Sequence, residues 1–128
     1  MLKLVDLIHL TGVRLRKFKI HCATGKDPTP LQAFFEGSFK EWQEHQNNEN
    51  FKCDRILSLI SYQKDKWLFA GAFDVMGVVP IQSKGKRQYK YSTQEVEGLE
   101  ELTGRAIIQF KKTFRASYLR GPKYIDQL

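Results

Sequence analysis

The chain has 128 residues, 41% hydrophobic and 27% charged, with 21 Lys and Arg against 14 Asp and Glu for a net charge of +7. That length supports one domain with its own core, and the composition is globular, excluding a fibrous or wholly disordered chain. No run of 18 apolar residues occurs, so no membrane span is expected, and the opening MLKLVDLIHL, with Asp6, His9 and no small-residue cleavage site, predicts no signal peptide.

Leu4, Leu7 and Ile8 stand at helical spacing ahead of Gly12, which predicts a short helix capped at that glycine. RLRKFKIHCAT then alternates. Arg16, Phe18, Ile20 and Cys22 share the apolar face of a strand, and Leu15, Lys17, Lys19 and His21 share the other. GKDPTP breaks the chain. Thr29-Pro30-Leu31-Gln32 has the form of a capping box, with Thr29 as N-cap and Pro30 at the first helical position. It predicts an amphipathic helix over 30–46 with Leu31, Phe34, Phe35, Phe39 and Trp42 on one stripe.

From Arg55 the period becomes two. RILSLISYQ is apolar on both faces, as a central strand is. KDK supplies a tight turn and WLFAGAFDVMG the partner strand, in which Trp67, Phe69, Gly71, Phe73 and Val75 fall on one face. Gly71 marks a bend or a close backbone approach. VVPIQSKGKR reads as a loop, QYKYSTQEV as a strand with Tyr89 and Tyr91 opposite Lys90, and EGLEELTG as a turn. RAIIQFKK is a last strand with Ala106, Ile108 and Phe110 inward. The expected class is α+β: a small curled antiparallel β-sheet or β-barrel of about five strands closed by the one amphipathic helix, a single domain over 1–128.

A catalytic constellation is not evident, and neither a cofactor nor a metal site is expected. His9, His21 and His45 fall in separate elements, and with Cys22 and Cys53 they lack metal-ligand spacing. The two cysteines read as reduced thiols in a cytoplasmic protein. Glu95, Glu97, Glu100 and Glu101 crowd one turn without the Asp, Asn and Gly pattern of a calcium loop, and a solvated acidic turn is the better reading. Phosphate-loop, dinucleotide and nucleophile-elbow glycine motifs are absent.

Charge distribution points elsewhere. Residues 1–83 carry 11 Lys and Arg against 9 Asp and Glu, whereas residues 84–128 carry 10 against 5. The late excess lies in two segments that also hold aromatics. One comprises Lys84, Lys86, Arg87 and Lys90 beside Tyr89 and Tyr91; the other comprises Lys111, Lys112, Arg115, Tyr118, Arg120 and Lys123. Cations release counterions from phosphate and rings stack on unpaired bases, so a nucleic-acid partner, double-stranded DNA first, is expected and a membrane is not. The competing role for the cations is a solvated face, with Phe110, Phe114 and Tyr118 turned into the core. Trp67, Tyr89 and Tyr91 offer an aromatic enclosure for a flipped base, with Asp74 to read a polar edge; core packing competes for Trp67. A protein-interaction or assembly module that docks an acidic partner is the alternative function.

The order DKWLFAGAFDVMG followed by YKYSTQEVEGLEELTGRAIIQFKKTFRASYLR resembles an accessory domain at the N-terminus of some GIY-YIG nuclease family proteins. Leu102, Gly104, Arg105, Ile107, Ile108, Phe110, Lys111 and Lys112 carry the likeness, which covers roughly residues 64–120. More distantly the chain is similar to PUA-like barrels that include readers of modified DNA bases. The resemblance implies a non-catalytic DNA-recognition domain that serves a restriction-type nuclease. The chain itself contains neither a GIY nor a YIG tripeptide, so no cleavage is expected of it.

Overall fold

The computed structural model describes residues 1–12, 18–24, 29–40, 45–46, 54–83, 86–112 and 118–120, of which 45–46, 81–83, 86–88 and 118–120 are described as backbone only. In chain order the elements are β1 (Leu2–Lys3), α1 (Leu4–Leu10), β2 (Phe18–Ala23), α2 (Pro30–Phe35), β3 (His45–Gln46), β4 (Arg55–Gln63), β5 (Lys66–Ser83), β6 (Lys86–Glu95), β7 (Ile107–Gln109) and β8 (Tyr118–Arg120). The strands follow the path β1-β7-β5-β4-β2-β8, with β6 paired to the distal half of β5 and β3 paired to β6.

The sheet is mixed and open, where a curled antiparallel sheet or a closed PUA-like barrel was expected. β2 and β4 run parallel, as do β1 and β7. The reason lies in the connections. A parallel pair needs a long crossover, and the chain between β2 and β4 supplies one that contains α2. The end strands β1 and β8 do not pair with each other among the described residues. The coarser expectation stands: the protein is mostly sheet with few helices.

Both faces of the sheet are covered. On one, Leu4, Leu7 and Ile8 of α1 pack with Phe18, Ile20 and Cys22 of β2, Leu57 and Leu59 of β4, Trp67 and Phe69 of β5, and Ile108. On the other, Ala33 of α2 and Phe39 pack with Ala23, Ile60, Ala70 and Phe73. β4 serves both cores, Leu57 and Leu59 the first and Ile60 the second, as its two-faced apolar sequence predicts. Cys22 and His21 accordingly leave β2 by opposite faces, the His21 ring stacking on Phe39 at 6.2 Å.

The expected helix over 30–46 stops early. Thr29 Oγ1 accepts from the Gln32 backbone N–H at 3.1 Å, which is the cap the sequence predicts. The Gln32 side chain reaches Glu36 at 3.3 Å instead of completing the box. Gly37, at φ +81°, ends the helix: its N–H donates to Phe34 O and that of Ser38 to Ala33 O. His45 and Gln46 lie in a strand. Phe35 is therefore 72% exposed and leaves the stripe it was assigned to; Trp42 lies outside the described residues.

β5 also departs from a plain alternating strand. Ser58 faces Gly71 and Leu59 faces Phe69, so Ala70 is an extra residue in a β-bulge. Before the bulge Trp67 and Phe69 face the α1 core; after it Ala72 takes that face and Phe73 turns to the α2 core. The five residues expected on one face are thus split. Beyond Asp74 the strand continues through the segment expected to be a loop and pairs with β6 as far as Ser83 opposite Lys86.

Candidate nucleic-acid interface

The distal half of β5 and β6 form a ribbon that outruns β4, which begins at Arg55 opposite Asp74, and β3 joins its β6 edge at Tyr89 and Lys90. Its closed end carries Lys86 and Arg87, set opposite Ser83 and Gln82. Lys90 is exposed on the same strand, opposite Val79 and flanked by β3 through His45. Met76, Val78 and Val79 are exposed at 64%, 42% and 58%, so the ribbon offers apolar as well as cationic surface. Lys84 lies outside the described residues.

The second basic segment sits elsewhere. Lys111 is exposed and Lys112 half-buried just beyond β7, whose Gln109 faces Lys66 at the start of β5. β8 places Tyr118 opposite His21 and Arg120 opposite Lys19, at the other edge of the sheet. Arg115 and Lys123 lie outside the described residues. The ribbon tip and the Lys111 end thus occupy opposite ends of β5, and Tyr118 and Arg120 stand apart from both, on β8 beside β2.

The four residues expected to enclose a base are not brought together. Trp67 is buried, its indole Nε1–H donating to Phe110 O at 3.0 Å and its ring 6.5 Å from that of Phe110. It lies opposite Ile108, near the start of β5. Tyr91 and Tyr89 face Val78 and Pro80, in the distal half; Tyr91 is buried and Tyr89 half-buried. Asp74 is engaged by Arg55, with Nε to Oδ1 at 2.7 Å and Nη2 to Oδ2 at 3.2 Å. Arg55 also donates to Thr11 O at 3.3 Å, tying the end of α1 to the sheet. Arg55 was missed in the sequence because its partner lies on the neighbouring strand.

The residues of the family-like motif hold the fold together. Gly104 N–H donates to Phe69 O at 2.7 Å and Phe69 N–H to Ala106 O at 3.0 Å, docking the turn against β5 beside the bulge. Ile108 and Phe110 are buried, and Leu102 packs on the same core.

The acidic turn borders an open hollow of about 470 Å³ lined by Glu95, Glu97 and Glu100. Backbone N–H groups of Glu100 and Gly98 hydrogen-bond the Glu100 carboxylate and hold its pKa below the usual value. Among the described residues no group of three or more His, Cys, Asp or Glu could hold a metal ion, and no helix is long and apolar enough to cross a membrane.

Burial pushes the Cys22 thiol up to about 12, a shift only partly offset by the nearby charge of Lys112. A thiol so raised remains protonated where an ordinary one ionises. Iodoacetamide at about pH 8 is expected to leave Cys22 unmodified in the folded protein and to label it in urea, read by peptide mapping. By linkage, its contribution to stability is constant below the unfolded thiol's pKa, near 9, and is lost as pH rises through the folded value of about 12.

Comparison with known proteins finds no matching family model, no matching curated protein and no matching solved structure.

Proposed function

We propose that this chain is a DNA-recognition domain that acts by binding and not by catalysis, gripping duplex DNA with the β5–β6 ribbon. One observation carries the reading: the β5–β6 ribbon runs on beyond the start of β4, its closed end holding Lys86 and Arg87, with Lys90 exposed further along. Beyond Tyr89 and Lys90, where β3 joins it, the ribbon has two strands among the described residues; the B-DNA major groove admits a ribbon of that width, and strands read DNA in that way in several protein classes. Exposed Val78 and Val79 suit contact with sugar edges and thymine methyls. Lys111, exposed just beyond β7, offers phosphate a second contact away from the ribbon, as a wrapped or bent duplex would use. The likeness to the accessory domain of GIY-YIG nucleases agrees with this role and implies that cleavage is supplied by a partner domain. The buried free thiol of Cys22 suits a reducing, cytoplasmic setting.

The test is gel shift at two salt concentrations with a combined Lys86→Ala, Arg87→Ala, Lys90→Ala variant. Losing three phosphate contacts should weaken binding by about 100-fold at moderate salt and flatten the salt slope by about three. Equal retention of the variant and the parent would refute the ribbon. Exposed Met76, Val78 and Val79 also favour the alternative of a protein-docking module. That reading gains if duplex DNA is not retained and an acidic polypeptide is.

A further inference from the structure

At the end of β5 away from the ribbon, one register line crosses four strands. Lys3 of β1 pairs with Gln109 of β7, Gln109 with Lys66 of β5, and Lys66 with Gln63 of β4. Side chains that neighbour one another across a sheet share a face, so this line is a row of ammonium and amide donors. The adjacent line, Leu2, Ile108 and Trp67, packs into the α1 core, and alternation turns the Lys3 row to the opposite face. On that face the neighbouring line is Ile107, Leu68 and Ile60, of which Leu68 and Ile60 are buried. Lys3, Gln63 and Gln109 are exposed and Lys66 is half-buried. The apolar cover stops one line short of the row.

Two more lysines extend it. Phe110 packs in the α1 core and its N–H donates to Asp65 O at 3.0 Å, which ties the chain after β7 to the β4–β5 turn. Lys111, the next residue, is exposed, as is Lys64 in that turn. Lys3, Lys64, Lys66 and Lys111 form no ion pair among the described residues. Two carboxylates belong to the same segments: Asp6 accepts from the Lys3 backbone N–H at 3.0 Å, and Asp65 is half-buried. Lys3 and Lys66 stand about 10 Å apart across β7, comparable to the Debye length of about 10 Å at 0.1 M salt, so their potentials overlap. A surface built only for solubility intersperses both signs. A row of one sign with amides between is complementary to a chain of anions.

We infer that the Lys3–Gln109–Lys66–Gln63 row, with Lys64 and Lys111, is a separate anchor that grips the phosphate backbone of nucleic acid and reads no bases. The ammonium groups neutralise phosphates and release their counterions, and the Gln63 and Gln109 amides donate to phosphate oxygens. Contacts of this kind fix position and orientation and carry no sequence information. The choice of nucleic acid as the polyanion rests on the DNA-binding reading; the row's affinity for chained phosphates does not. Lys3, Lys64 and Lys66 lie outside the two basic segments that the charge distribution singled out, and only the register brings them to Lys111.

Sodium polyphosphate is titrated into the labelled protein at low salt and followed by amide NMR, and duplex DNA of two unrelated sequences is followed by gel shift. Polyphosphate is expected to shift the amides of Lys3, Lys64, Lys66, Gln109 and Lys111. A combined Lys3→Gln, Lys66→Gln, Lys111→Gln variant should lose that response. It should also weaken both duplexes by the same factor, about 100-fold at moderate salt, and flatten the salt slope by about three. Lys111→Gln alone, outside any strand, guards against a folding loss and should flatten the slope by about one. Silence at these amides, an equal response from the triple variant, or unequal losses on the two duplexes would overturn the anchor. So would polyglutamate that shifts the amides as strongly as polyphosphate, since the surface would then be a protein-docking face. The two readings fail separately. If parent and triple variant retain DNA equally, the anchor falls and the ribbon stands. If the row answers polyphosphate but no duplex is retained, the DNA-binding reading falls and the row stands as a site for chained phosphates.

Discussion

Asp74→Ala is expected to destabilise the fold by about 3 kcal/mol, measured as a lowered urea midpoint at unchanged slope. The Arg55 side chain is 10% exposed and makes two bonds to this carboxylate, at 2.7 and 3.2 Å. Removing the acid leaves a guanidinium in a nearly dry site with only Thr11 O as acceptor in this trio, and an unpaired buried charge is the costly outcome. The converse change is milder. Arg55→Leu strands a carboxylate that is 32% exposed, which water reaches, together with the Thr11 carbonyl; a loss of about 1.5 kcal/mol is expected. The double variant should lose less than the sum of the two, by about 2 kcal/mol, because the second change removes the charge that the first stranded. Strict additivity would show that the pair contributes nothing as a pair.

Several elements could be read from the sequence because one periodicity dominates them. Leu4, Leu7 and Ile8 place α1, the alternation of Phe18, Ile20 and Cys22 places β2, and the two-sided apolar run after Arg55 places β4 at the centre. What failed to show was set by neighbours. The apolar spacing of Phe34, Phe35 and Phe39 runs on through Gly37, and only the glycine after Glu36 signals that the helix closes there. Pro80 and Gly85 make the ribbon look like a loop in the sequence. Pro80 is tolerated because β5 pairs there with β6 alone among the described residues, and proline is admitted where a strand has a free edge. β1, β3 and β8 are too short to carry any period and exist through their partners. The candidate site was legible as chemistry but not as place. Cations and rings were visible in order, whereas the bulge that separates Trp67 from Phe73, and the register that gives Asp74 to Arg55, are properties of two strands together.

That register sets the second large effect, expected at Gly71. Its φ is +123°, and a Cβ there would meet the Phe73 ring at 3.3 Å and Glu95 Oε1 at 3.2 Å. Gly71→Ala therefore adds backbone strain of about 1–2 kcal/mol to contacts that require a buried ring to move, for a total of about 3 kcal/mol. Gly37→Ala is the control: φ is +81° there, but nothing lies within 4 Å of the added Cβ, so strain alone, about 1 kcal/mol, is expected. The bulge is worth defending because the competing straight ladder is poor. Without the extra residue at Ala70, the pairing of Leu59 with Phe69 would continue so that Phe73 faced Arg55 and Asp74 faced Asp54. Phe73 would turn out of the α2 core, and two carboxylates would stand opposite each other, which is destabilising in a ladder. Gly71→Ala is thus expected to unfold the protein at lower urea and not to shift it into a second folded register. Equal losses for Gly71→Ala and Gly37→Ala would mean that Phe73 and Glu95 yield freely to the added Cβ.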